Sequence, residues 1–209
     1  MLKTLLYFCL LMVSICQAPL CASSQEIAFT SVECSPQLQQ AVNKIMQISE
    51  ARSLINTIQQ EGPIRIIANT HPLSEQFGAY WDLGKRTICI NLSHCRSEGK
   101  VIGSIVFELH NAAANSKLQH FDHLALTKNI DRESYVKGVE YVEYENSLKA
   151  SHLTKVGIQM GIFPADAYLP IYRNFEEHYH FQIIGGHSAW IGSNYDGLSN
   201  HKCSCHSTT

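Results

Sequence analysis

Apolar positions along the chain alternate between two spacings, and the spacing assigns the elements. Leu38, Ala41, Ile45 and Ile48, then Leu54, Ile55 and Ile58, recur at helical intervals and break near Ser49. They predict one bent helix or two short ones over residues 36–60, opened by Ser35 as N-cap with Pro36 in the first turn and closed by Gly62-Pro63. Residues 64–68, Ile-Arg-Ile-Ile-Ala, are β-branched and predict a strand. Residues 69–78 read as a loop containing His71-Pro72. Residues 79–94 then read as two short strands about an Asp-Leu-Gly-Lys turn.

The next segment, residues 103–115, carries Ile102, Ile105, Val106, Leu109 and Ala113 on one helical face. The same helix bears Glu108, and a carboxyl on an apolar helix is costly to bury without a partner. Residues 115–129 are polar and read as irregular. Asp131 then caps a long helix reaching about Met160, which Gly157, Gly161 and Phe163-Pro164 bring to an end. On it Glu140 and Glu143 are three residues apart and share a face. Residues 165–184 read as helical, in one or two pieces, up to the Gly185-Gly186 break. Residues 188–198, with Trp190 and Tyr195, read as a flap or binding loop, and a weak strand is expected over 27–32.

The order of strand, turn, strand and glutamate helix resembles the core of zincin metallopeptidases. There the helix after the edge strand carries His-Glu-x-x-His. Aligned on the glutamate, this chain reads Phe107-Glu108-Leu109-His110-Asn111, so both zinc-ligand histidines are replaced. The resemblance covers about residues 36–160. It implies an α+β, zincin-like fold, with a small mixed or antiparallel sheet packed on the glutamate helix and on a second long helix. It also implies a site built from Glu108 and Asn111, with Phe107, Glu140, Glu143 and Glu145 as further cleft positions, because in one zincin type a later helix supplies a carboxylate ligand.

Composition narrows the setting. The 209 residues begin with Lys3, an apolar run over 5–15 and a small residue before Ser23, the pattern of a secretory signal peptide cut after Ala22. Residues 23–209 are then one domain with a short Cys/His tail at 201–209, secreted or periplasmic, with no stable membrane insertion once the signal is removed. The net charge is −2 and loss of Lys3 takes it to −3, with no basic excess for nucleic acid. Cys34, Cys89, Cys95, Cys203 and Cys205 remain after cleavage. In an oxidising compartment they are disulfide candidates, Cys89–Cys95 locally and Cys34 to the tail. Asn91-Leu-Ser93 is a glycosylation sequon.

Eleven histidines offer further metal-ligand candidates: His178 and His180 with His187 if Gly185-Gly186 folds the chain back, His120 with His123, and the tail's His201 and His206 with its cysteines. At the helix itself the expectation is no metal, since Phe107 has no donor atom and three ligands are needed. Two functions follow. One is a non-catalytic pseudo-peptidase that binds a protein or peptide, Glu108 serving as a buried hydrogen-bond acceptor and a peptide strand lying along the 87–92 edge; an effector role belongs to this class. The other is a metal-dependent hydrolase with Glu108 as general base and Glu140 and Glu143 binding metal or orienting water, zinc being the natural cofactor.

Overall fold

The computed structural model describes residues 32–69 and 77–200. The expected signal peptide, most of the expected 27–32 strand, His71-Pro72, and the tail with Cys203 and Cys205 lie outside the described residues.

The chain is α+β and mostly helical, with a small mixed sheet. In order it forms β1 (Glu33–Cys34), α1 (Gln39–Ile45), α2 (Ser49–Gln60), β2 (Arg65–Ala68), β3 (Ala79–Asp82), β4 (Thr87–Ile90), α3 (Glu98–Ala113), α4 (Asn115–Leu126), α5 (Arg132–Gln159), α6 (Phe175–Ile184) and α7 (His187–Asn200). Short 3-10 turns at Pro36–Leu38 and Ala165–Ala167 join them. Among the described residues, no helix is long and apolar enough to cross a membrane.

The sheet runs β1-β2-β4-β3. β2 is parallel to both its neighbours, and β3 is antiparallel to β4 through the Asp82-to-Lys85 turn. The pairing Trp81 opposite Ile88 and Tyr80 opposite Cys89 sets which face each side chain takes. β4 is therefore interior, buried at all four positions. The expected peptide edge at 87–92 is corrected: among the described residues β3 forms the sheet's edge on that side.

Ser97 caps α3 by accepting from the Lys100 N–H, and Asp131 caps α5 by accepting from Ser134 at 2.7 Å. The main core joins α1, α2, the sheet, α3 and the later half of α5, centred on Ile66, Ile88, Ile102, Ile105 and Leu109. A smaller cluster joins α4, the start of α5 and α7 through Ala125, Tyr135, Val136 and Ile191.

Two segments read as irregular are helices. In α4 a narrow stripe of Leu118, Phe121 and Ala125 faces α5, and Gly138 leaves room there for the Phe121 ring. In α7 Ile191, Tyr195 and Leu198 bury one side, although its Gly, Ser and Asn content disfavours helix; packing outweighs propensity. Cys34, Cys89 and Cys95 are free thiols, so the Cys89–Cys95 bridge is corrected: Cys89 fills the strand core and Cys95 lies 3.4 Å from the Ser104 hydroxyl on α3. Asn91 of the sequon is buried and accepts from Ser93, so its amide is not presented as a glycan acceptor.

The end of α5 rests on a close approach. Gly161 takes φ +69° as the helix terminates, and the Phe163 N–H returns to the Gly157 carbonyl. The Phe163 ring then lies where a Cβ on Gly157 would sit. Gly157→Ala is expected to destabilise by about 2 kcal/mol through overpacking, against a helix-propensity gain of about 1 kcal/mol. Gly197→Ala in α7, with open space around it, should instead stabilise by up to about 1 kcal/mol. Urea unfolding of the two variants checks the opposite signs.

Candidate functional site

The site is the seam between α3 and α5. On α3, Glu108 and Asn111 are one turn apart; on α5, Glu140, Glu143 and Asn146 recur every three residues. The two polar stripes face each other. The Asn111 amide donates to Glu108 Oε2 at 3.1 Å and its carbonyl accepts from Asn146 at 3.0 Å, all three groups buried. Glu108 also accepts from the Trp81 backbone on β3, and the Trp81 indole donates to Asn115 at 3.2 Å. β3, α3 and α5 are thereby tied at one point.

The second half of the site comes from α6 and α7. Gly186, at φ +81°, turns the chain so that α7 returns beside α5. This brings His187 Nδ1 to 3.2 Å from Glu140 Oε1 and 3.7 Å from Glu143 Oε2. The Ser188 hydroxyl donates to Glu140 Oε1 at 2.6 Å. From α6, His178 Nε2 stands 3.4 Å from Glu140 Oε2, but neither atom is aligned for a hydrogen bond. The rings of Tyr144, Tyr172 and Phe175 enclose His178. Phe77 and Trp190 flank His187 at 5.1 and 5.5 Å between ring centres.

A cavity of about 460 Å³ opens over this floor. Glu108, Asn111, Glu143 and His187 line it, as do Phe107, β3 and the Tyr135–Asp122 pair, hydrogen-bonded at 2.7 Å. Both tryptophans of the chain, Trp81 and Trp190, are in its wall. A larger groove of about 700 Å³ lies over α4, α5 and Phe175 and shares none of the buried acids.

The chain matches no protein-family model, no curated protein and no solved structure. Its chemistry is therefore read from the site alone.

Environment separates the carboxyls. Burial, reinforced by the nearby Glu143, lifts Glu108 to about 8, so it holds a proton at neutral pH. Burial also raises Glu143. Burial would raise Glu140 too, but the two histidines and Ser188 hold it down to about 2. Burial would lower His187, and the carboxyls of Glu143, Glu140 and Glu108 outweigh it, lifting the ring to about 9. Glu140, Glu143 and His187 offer ligand atoms all within 4.8 Å of one another and form a cluster able to hold a metal ion.

The sequence candidates divide accordingly. Glu108, Asn111, Phe107 and Glu143 meet at the cavity; Glu140 sits fully buried behind it. Glu145 faces outward and pairs with Lys117 at 3.1 Å. His178 and His187 come together as the glycine break allowed, whereas His180 is exposed and apart. His120 and His123 lie on α4, outside this floor. What the residue pattern did not join was the histidine pair to the Glu140–Glu143 pair. A latent signal was the three-residue repeat of Glu140, Glu143 and Asn146, too polar for a helix otherwise buried on that side.

Native Glu108 keeps its proton to about pH 8, whereas an ordinary glutamate loses it near 4.5. The native state therefore binds more protons across that window, and stability falls as pH rises through it. Glu108→Gln mimics the protonated form and removes this dependence. Thermal melts should show variant and parent within about 1 kcal/mol at pH 4.5, and the variant ahead by roughly 3 kcal/mol at pH 9.

Proposed function

We propose that the chain is a secreted binding protein on a zincin-like frame without the zinc histidines, and that it accepts an extended peptide against the β3 edge. The observation that carries this reading is the state of the two positions where zinc histidines would stand. Phe107 offers no donor and packs against the main core. Asn111 has both ends of its amide engaged, with Glu108 and with Asn146. Zinc does not fit there, and no hydrolytic step is assigned to it. Glu108 holds its proton at neutral pH, and its carboxyl accepts from the Asn111 amide and the Trp81 backbone.

The arrangement around those positions supports a binding role. β3 is a sheet edge and also a wall of the cavity, with Ala79, Tyr80 and Trp81 at the opening. With the Trp81 N–H taken by Glu108, an added strand gains main-chain hydrogen bonds from the remaining groups of this edge, and every second side chain turns toward the cavity. Aromatic side chains, among them Phe77, Phe107 and Trp190, form part of the wall there. A bulky apolar peptide side chain is the matching occupant.

The two tryptophans give a direct readout, because no other tryptophan contributes background. Peptides selected from an extended, random library should shift or quench tryptophan fluorescence saturably, with dissociation constants in the range of about 1–100 μM. Filling the opening with Ala79→Phe, which adds no tryptophan, should abolish the effect. The same peptides should remain uncleaved after prolonged incubation; cleavage lost in Glu108→Gln would replace this reading with a hydrolase.

A further inference from the structure

We propose that Glu140, Glu143 and His187 bind one divalent transition-metal ion, zinc or manganese, at the floor of the cavity. This site is not the one the zincin resemblance implies, which falls on Phe107 and Asn111, and it does not depend on the peptide reading.

Donor chemistry comes first. Two carboxylates and one imidazole, with ligand atoms within 4.8 Å of one another, are the mixed oxygen and nitrogen set that such ions take. Coordination at about 2.1 Å needs these atoms to draw closer together, which side-chain rotation can supply. Glu143 and His187 line the cavity while Glu140 lies beneath them. Three protein ligands from below leave a coordination position facing the open space.

A second observation is independent of the cluster's composition. Glu140 is fully buried, yet its Oε2 has no hydrogen-bond partner. His178 is 1% exposed, and neither of its ring nitrogens has a partner. Buried polar atoms are almost always satisfied, and among the described residues Glu140 Oε2 has only the unaligned His178 ring at 3.4 Å for company. A cation coordinated by Glu140 gives the unpaired oxygen a ligand role. His178, 3.4 Å from that oxygen, is then placed to orient the carboxylate from outside the coordination sphere.

Charge and rigidity agree. Three carboxyls, Glu108, Glu140 and Glu143, crowd this seam beside two histidines, His187 and His178. A divalent ion offsets the repulsion among the carboxyls. The ligands sit on formed helices: Glu140 and Glu143 one turn apart on α5, and His187 at the first position of α7 with Phe77 and Trp190 against its ring.

The test is calorimetric titration of the metal-free full chain with zinc and with manganese, paired with melting curves. One equivalent should bind and raise the melting temperature. Glu143→Gln and His187→Gln should each weaken binding at least about tenfold, a typical loss for a changed ligand environment; His180→Ala, an exposed histidine, should not. Circular dichroism of the metal-free proteins confirms that the variants fold, and Glu143→Asp should recover part of the affinity if His187→Gln does not fold. Cobalt substitution separates this site from the Cys/His tail: the spectrum should lack a thiolate charge-transfer band. No uptake of either metal, affinity unchanged in Glu143→Gln, or a thiolate band that disappears with Cys203→Ser and Cys205→Ser would each overturn the proposal.

Discussion

The buried contact between Glu108, Asn111 and Asn146 is the constraint on which the site depends. Three polar side chains sit between α3 and α5, each nearly inaccessible to water. Such groups are tolerated only in matched geometry, since an unpaired amide or carboxyl there forfeits its hydration with nothing in return. The match fixes the rotation of α5 about its axis and its register along α3. Once Asn146 is set against Asn111, the three-residue repeat carries Glu143 and Glu140 to the same seam.

That register places the site where the two apolar clusters meet. The sheet with α1, α2 and α3 forms one, and α4 with the start of α5 and α7 forms the other. Neither cluster closes over the junction, and the cavity is the space between them. Its walls belong to elements anchored in separate cores, so the opening does not need a loop to hold it. The Trp81 indole bound to Asn115 links the strand side to the helical side across the opening.

Within a few ångströms, three glutamates meet different fates. Glu140 has two histidines and a serine hydroxyl around it and stays ionised. Glu108 has an amide, a backbone N–H and a like-charged neighbour, and holds its proton. Glu143 lies between these situations, near His187 on one side and the cavity on the other. The division of roles comes from which polar groups each helix brings: α7 and α6 place His187, Ser188 and His178 beside Glu140, whereas Glu108 meets an amide and a backbone N–H. Glu108 thus holds a proton beside a separate set of metal-capable side chains.

Local patterns determined much of this protein. The hairpin at 79–90, the glutamate helix, the long helix capped by Asp131 and the break at Gly185-Gly186 were all legible, because capping, turn chemistry and apolar periodicity act over a few residues. The burial of one glutamate was legible too, since Glu108 interrupts an apolar run. α4 and α7 were not, because their apolar stripes are thin and their composition favours irregular chain; burial against α5 makes them helices. The edge of the sheet was misassigned to 87–92, as strand order depends on parallel pairing between β2 and β4, separated by about twenty residues. Above all, the residue pattern presented Glu140–Glu143 and His178–His187 as separate candidates. Their meeting is a tertiary event: a glycine at positive φ reverses the chain, α7 lies back along α5, and charges some forty-five residues apart come within hydrogen-bonding distance.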